Sequence, residues 1–241
     1  MDQELEKLES QGIWEQVEYS KWETPIVTVK KDAADPNSDL RVCGYYKQAV
    51  NKIAPLDNYP IPTVDEHLAS FRGCVMFSKI DLKQTYQQLE LDEETKELLT
   101  VNTHRGLFKP SRLQFGVHSA TGIFQREMDR RLKHLPRVKA RVDDIAIGGL
   151  DETDHCNMLY QVCEVLKKAG LTVKWEKCQL FRKEIEFCGH VLSAEGIRPM
   201  LSNLEAVKKA PVPTNVSELK AFLGKVNYYR NFIYNASTIM E

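Results

Sequence analysis

Long apolar runs are missing from this chain: nowhere in its 241 residues do the ~20 consecutive hydrophobic residues of a membrane-spanning helix occur. The opening MDQELEKLE is acidic, where a secretion leader is basic and then apolar. Cysteine is sparse and unpatterned. Cys43, Cys74, Cys156, Cys163, Cys178 and Cys188 fall at irregular intervals with no C-x-x-C, which fits neither a zinc ribbon nor a disulfide framework and points to reduced thiols packed as small apolar residues. A metal site from His155, Cys156, Cys188 and His190 would need pairs that are adjacent or separated by one residue, a spacing that disfavours it. Excess charge of one sign is also lacking, since 33 Lys and Arg against 34 Asp and Glu leave −1 overall, so the chain as a whole is not a basic nucleic-acid binder. Internal repeats and low-complexity segments are absent.

What is present is ordinary for a globular protein: 42% hydrophobic and 28% charged residues, enough for one large core or two modest ones, with an intracellular location expected. The charge is unevenly spread. Between His104 and Arg141, Arg105, Lys109, Arg112, Arg126, Arg130, Arg131, Lys133, Arg137, Lys139 and Arg141 are opposed only by Glu127 and Asp129. Such a stretch suits a phosphate backbone, and it equally describes a solvated face.

Apolar spacing and turn residues divide the chain into short strands and helices. DQELEKLESQG reads as a helix stopping at Gly12. PIVTVKK and DLRVCGYY, separated by the polar DAADPNS, read as a projecting hairpin. PTVDEHLASFRG is a short helix capped by Thr63 with Glu66 three residues on. Then come a strand CVMFSKIDL, a helix SATGIFQREMDRRLKHL, two strands in VKARVDDIAIGG, a helix DETDHCNMLYQVCEVLKKAG capped by Asp151, and a strand LTVKWEKC. This β-α-β-β-α-β order predicts an α+β fold, an antiparallel ferredoxin-like sheet with both helices on one face. IEFCGHVLS reads as a tight hairpin, and IRPMLSNLEAVKKAP with TNVSELKAFLGKVNYYRNFI as a helical tail broken at Pro211 and Pro213.

Three aspartates stand out in that layout. Asp81 ends the first strand of that sheet, and Asp143 and Asp144 sit where the central hairpin turns. Neighbouring strand ends bring them to one sheet edge, where carboxylates repel unless a divalent cation neutralises them. Magnesium, with one or two carboxylates plus substrate phosphates, suits nucleotidyl transfer by two metals. The same residues also serve as an ordinary turn pair and strand cap.

From KWETPIVTVKK through RVCGYYKQAVN, DNYPIPTVDE, FSKIDLKQTYQQLELDEETKELLTVNTHRGLF, RLQFGVHSATGIFQ, VDDIAI, GLTVKWEKC, EFCGHVLSAEGIRP and ELKAFLGKVNYYRNF, nearly the whole chain resembles the reverse transcriptase of gypsy-type LTR retrotransposons. The resemblance implies a right-hand fold: fingers and N-terminal segment in 1–75, palm in 76–185 with fingers elements interleaved near 88–116, and a primer-grip turn with partial helical thumb in 186–241. It implies an RNA-directed DNA polymerase adding deoxynucleotides to a primer on an RNA or DNA template. Two Mg2+ ions, for which Mn2+ substitutes, would be held by Asp81, Asp143, Asp144 and the Leu82 carbonyl. Lys31 and Arg41 would hold the triphosphate, Tyr86 would pack on the incoming sugar and discriminate deoxyribose from ribose, and Phe115 and Gly116 would flank the nascent base pair. Lys177 would protonate pyrophosphate, and Phe187, Cys188, Gly189 and His190 would form the primer grip. The expected location becomes the cytoplasm or particles made by such an element, with no membrane partner.

Several positions depart from the family pattern. Arg141 replaces an aromatic residue two before the acidic pair, and Tyr45 replaces an acidic one in the fingers. Gln114 and Thr121 replace prolines, and Thr85 replaces an alanine beside the sugar pocket. None removes a metal ligand, but each is expected to lower turnover, because misplacing a group by ~1 Å costs about a hundredfold in rate. With no RNase H or integrase pattern in the sequence, the expectation is a fragment or decayed copy of an element. The competing reading is a catalytically decayed or co-opted nucleic-acid-binding remnant that keeps the fold and loses the chemistry. A nucleotidyl cyclase shares the palm logic but carries a Gly-Gly-acidic loop where this chain has Arg141 and Val142.

Overall fold

The computed structural model describes residues 1–30, 35, 40–48, 50–54, 59–236 and 238. Helix α1 (Asp2–Ser10) buries Leu5 and Leu8, three apart and therefore on one face, and delivers the chain to β1 (Trp14–Val17). The expected hairpin follows as β2 (Thr24–Lys30) and β3 (Leu40–Gly44), antiparallel from Ile26 opposite Gly44 to Lys30 opposite Leu40. Next come α2 (Val50–Ile53) and α3 (Val64–Ala69). At the start of α3 the Thr63 hydroxyl accepts from the Glu66 amide while the Glu66 carboxylate accepts from the Thr63 amide, and such a cap stabilises a helix by about 1 kcal/mol.

β4 (Met76–Asp81) opens the palm, after which α4 (Glu93–Leu98), β5 (Val101–Thr103) and β6 (Gly106–Pro110) return to the fingers. There β5 lies parallel to β2 and β6 pairs with β1, completing a sheet of order β1-β6-β5-β2-β3. Its core gathers Leu5, Leu8, Trp14, Val42, Tyr46, Leu99, Val101 and Phe108.

The palm is finished by α5 (Ala120–Leu132), β7 (Val138–Arg141), β8 (Asp144–Gly149), α6 (Glu152–Lys168) and β9 (Gln179–Arg182). The sheet runs β7-β8-β4-β9, antiparallel throughout. Alternation along the strands turns Ile80, Val138, Ala140, Ile145 and Ile147 to one face, where Phe124, Met128 and Leu132 of α5 and Val162 and Leu166 of α6 cover them. Each such Ile contributes about 1.5–3 kcal/mol by leaving water. This is the α+β ferredoxin-like palm expected from element order.

The opposite face of the palm sheet is only partly covered. Phe77 and Ala146 pack under Leu68 and Phe71 from the α3 region and under a small sheet of β10 (Glu184–Phe187), β11 (His190–Ser193) and β12 (Gly196–Pro199). Helices α7 (Leu201–Lys208) and α8 (Val216–Asn227) follow.

Two expected elements are placed differently. LTVKWEKC is not the last palm strand: Val173 makes one bridge to Leu82, residues Trp175–Lys177 wind into a 3-10 turn, and pairing with β4 resumes at Gln179. The expected helix beginning at Ile197 starts instead at Leu201, because Gly196–Pro199 pairs with β11 from Ser193 opposite Gly196 to His190 opposite Pro199. All six cysteines are free, and His155, which is buried against Ser78, gathers no metal set with Cys156, Cys188 and His190. No helix among the described residues is long and apolar enough to cross a membrane.

Candidate active site

Strand register brings the acidic residues together. Asp81 lies directly opposite Asp144 at the end of the β4–β8 ladder, a position where paired Cα atoms are about 4.5–5.5 Å apart. Asp143 occupies the two-residue turn before β8, and its carbonyl accepts the Leu82 amide at 2.8 Å, locking the turn to the chain just beyond Asp81. The other turn residue, Val142, has φ 52°, left-handed backbone that a β-branched side chain resists. The Gln125 side chain, from α5, accepts the Val142 amide at 3.1 Å and donates to the Ala140 carbonyl at 2.8 Å, which holds the strained turn in place.

Lys79, two residues before Asp81 and so on the same face, sets its ammonium 3.8 Å from the Asp144 carboxylate. Burial pushes the Asp144 carboxyl above the usual range; Lys79 and Lys177 oppose this, and Asp81 and Asp143 add to it. Among the described residues, no group of three or more Asp, Glu, His or Cys side chains is drawn close enough to form a ready ligand set. The donor chemistry nevertheless fits a hard divalent cation: these are oxygen ligands only, and their mutual repulsion is what such a cation relieves.

Beside the aspartates lies an aromatic layer. Tyr86 sits in a 3-10 turn, Thr85–Gln88, entered through Gln84 at φ 47°. Its ring meets Phe115 edge-on at 5.2 Å and Phe124 at 6.1 Å, and its hydroxyl shares a 2.8 Å hydrogen bond with Thr121. The Arg41 guanidinium, from the fingers hairpin, lies over Phe115 at 4.3 Å from the ring centre. Gly116 has φ +93°, and a Cβ there would fall 2.9 Å from the Gly44 carbonyl oxygen, so only glycine lets the Phe115 turn approach β3 this closely. Arg41, Tyr86, Phe115 and Gly116 therefore converge; Lys31 lies outside the described residues.

The β10–β11 turn approaches from the other side. Cys188 (φ 50°) and Gly189 (φ 73°) form a two-residue turn with both residues left-handed. Tyr228 donates to the Cys188 carbonyl at 2.7 Å, Tyr229 to the Gly189 carbonyl at 3.3 Å, and Asn203 to the Tyr229 hydroxyl at 2.9 Å. His190 lies within 6 Å of the rings of Tyr228, Tyr229 and Phe232, and its Nδ1 proton is given to the Cys188 carbonyl at 2.8 Å. Burial pushes the Cys188 thiol up to about 11; Arg141 and Lys79 lower it and Asp144 raises it, which places this turn in the electrostatic reach of Asp144. Phe187, buried under His67 and Phe71, roots the turn in the core. Lys177 is exposed at the end of its 3-10 turn, near enough to influence Asp144.

The family model for reverse transcriptase (RNA-dependent DNA polymerase) matches residues 29–192. The chain belongs to the reverse transcriptase family. It is 34% identical over 245 residues to the retrovirus-related Pol polyprotein from transposon 297 of Drosophila melanogaster, covering 100% of this chain and 23% of that protein. It is also 30% identical over 224 residues to the corresponding polyprotein from transposon gypsy, covering 91% of this chain and 22% of that one. Among solved structures, the foamy viral protease-reverse transcriptase in complex with double-stranded DNA superimposes with a TM-score of 0.87 at 25% identity, over 99% of this chain and 41% of that chain. The chain thus spans 18% to 23% of the length of four curated relatives that it matches. The fold is that of a reverse transcriptase, and the family generally uses divalent metal ions.

Against the reverse transcriptase pattern, the unusual residues are built into the structure. Gln114 is buried, accepts the Trp14 indole proton at 2.9 Å and donates to the Arg112 carbonyl at 2.7 Å, bonds a proline cannot make. The Arg141 guanidinium donates to the Pro62 carbonyl at 2.9 Å. Tyr45 extends the fingers hairpin, its amide bonded to the Pro25 carbonyl at 2.7 Å, and Thr85 is buried. Residues that sequence reading passed over are Lys79, Gln125, Tyr228 and Tyr229. Only Lys79 carried a signal, its i−2 spacing from Asp81 on a strand.

Proposed function

We propose that this chain is the polymerase core of an RNA-directed DNA polymerase that joins deoxynucleoside triphosphates to a primer paired with an RNA or DNA template, inside the cell. The observation that carries this reading is the register placing Asp81 opposite Asp144, with Asp143 in the adjoining turn, at one open edge of the palm sheet. Asp81, Asp143, Asp144 and the Leu82 carbonyl would hold two magnesium ions. When bound, such ions supply charge neutralisation at the phosphates and lower the pKa of an attacking hydroxyl. The chain's own residues orient the reactants. Arg41 offers cationic charge to the triphosphate, Tyr86 and Phe115 pack against its sugar and base, and the Cys188–Gly189 turn holds the primer end. Lys177, exposed beside the site, is the proton donor to departing pyrophosphate.

Extension of a DNA primer on an RNA template, with magnesium or manganese, tests this. Addition by the parent and none by Asp143→Asn supports the reading; tight primer–template binding without any addition in either metal defeats it.

A non-catalytic remnant is favoured by one observation, the cation of Arg141 standing in the strand that leads into the acidic turn. Its test is Arg141→Tyr: extension appearing where the parent gave none identifies decay.

A further inference from the structure

We propose that Thr121 is a specificity-determining residue, whose hydroxyl pins the Tyr86 ring where it excludes the 2′-hydroxyl of a ribonucleoside triphosphate. This rests on the polymerase reading above and concerns a position where the family expectation is proline.

Tyr86 is held by its sides and by its tip. Phe115 and Phe124 meet it edge-on, with interplanar angles of 61° and 74°, and the freedom that these contacts leave is rotation about χ1, which swings the far end of the ring's long axis furthest. The hydroxyl, at the end of that axis, is the point where a restraint acts with the longest lever. Thr121 supplies it at 2.8 Å. Thr121 is the second residue of α5, which is anchored on the palm core by Phe124 and Met128, and its β-branched side chain has few rotamers open to it in a helix. The restraint therefore comes from a rigid element through a stiff side chain. Proline at 121 has no hydroxyl and leaves the Tyr86 tip without this bond.

The arrangement extends to the fingers. Arg41 lies over Phe115, Phe115 lies against Tyr86, and Tyr86 is tied to Thr121, so one line of contacts runs from the β2–β3 hairpin to α5. Both Tyr86 and Thr121 are half-buried, so a nucleotide sugar reaches the ring while solvent competes only in part for the hydroxyl pair. A change in where Tyr86 rests alters the room beside C2′ without touching any carboxylate of the site.

The test uses a primer ended by a dideoxynucleotide, so that dGTP and GTP binding to the protein–primer–template complex are measured without turnover. The parent binds dGTP more tightly than GTP. Thr121→Val, which keeps the shape and removes the hydroxyl, narrows that preference by about two- to tenfold, the range expected for one neutral hydrogen bond. Thr121→Ser restores it, and Thr121→Val with Tyr86→Phe narrows it no further than either change alone. A parent preference retained in Thr121→Val overturns the proposal while the polymerase reading stands. A parent that binds neither nucleotide overturns the reading and the proposal together. A Thr121→Val protein that loses structure while Thr121→Ser keeps both its melting temperature and the full preference supports the hydroxyl as the determinant; loss of preference in Thr121→Ser overturns it.

Discussion

Asp81 and Asp144 face each other across the last register position of β4 and β8, and Lys79 stands 3.8 Å from the Asp144 carboxylate. Because burial and its acidic neighbours hold the Asp144 carboxyl above its ordinary value, the ionised group works against folding at neutral pH. Asp144→Asn is therefore expected to melt no lower than the parent while losing more than about a hundredfold in primer extension. Added magnesium is expected to raise the melting temperature of the parent and not of the variant, which thermal melts with and without chelator will check.

The left-handed Val142 leads to a second expectation. A β-branched residue there costs about 1–2 kcal/mol, and glycine gives back about 0.5–1 kcal/mol in chain entropy. Val142→Gly is thus expected to be equal to or about 1 kcal/mol more stable than the parent in urea, and slower in extension, because Asp143 is then less firmly held. A variant that is both less stable and fully active contradicts the strain account.

Tyr228 ties the β10–β11 turn to the C-terminal helices through the Cys188 carbonyl. Tyr228→Phe removes one hydrogen bond and is expected to lower stability by about 1 kcal/mol. It is also expected to weaken primer–template affinity several-fold without changing nucleotide affinity. Fluorescence anisotropy with a labelled primer separates the two quantities.

Stability should also follow pH. Burial holds the His155 and His67 imidazoles below their ordinary value, so between that lowered value and about 6.5 the unfolded chain binds protons that the folded chain refuses. Their contribution to stability is complete above about 6.5 and declines as pH falls toward the lowered folded value. Urea midpoints from pH 8 to 5 are expected to fall along this window, with a shallower slope in His155→Gln.

Much of the architecture was legible because local signals were strong. Thr63 with Glu66 and Asp151 ahead of α6 marked helix starts, and alternating apolar residues around Ile145 and Ile147 marked a buried strand. The short strands β1, β5 and β6 escaped because three to five residues carry no periodicity, and their pairing partners lie far away in sequence. LTVKWEKC misled for a different reason. Its β-rich composition is used for one bridge and a 3-10 turn, and the Gln88 side chain adds four hydrogen bonds to Lys83 and Thr172 beside that bridge. The meeting of Asp81 with Asp144 was readable from strand ends, while a role for them came only with the family resemblance. Thr121 and Gln114 were read as defects, because a substitution looks like damage until the partner it has acquired, Tyr86 or Trp14, is in view.

The buried residues fall into separate clusters, with Leu5, Trp14, Val42 and Phe108 in one and Ile80, Phe124, Ile145 and Val162 in another. The two are stitched together by the Trp14–Gln114 hydrogen bond and by the Arg41–Phe115–Tyr86 contacts. A change in the interior of the fingers sheet thus reaches Tyr86 through a few named contacts and not through one shared apolar mass.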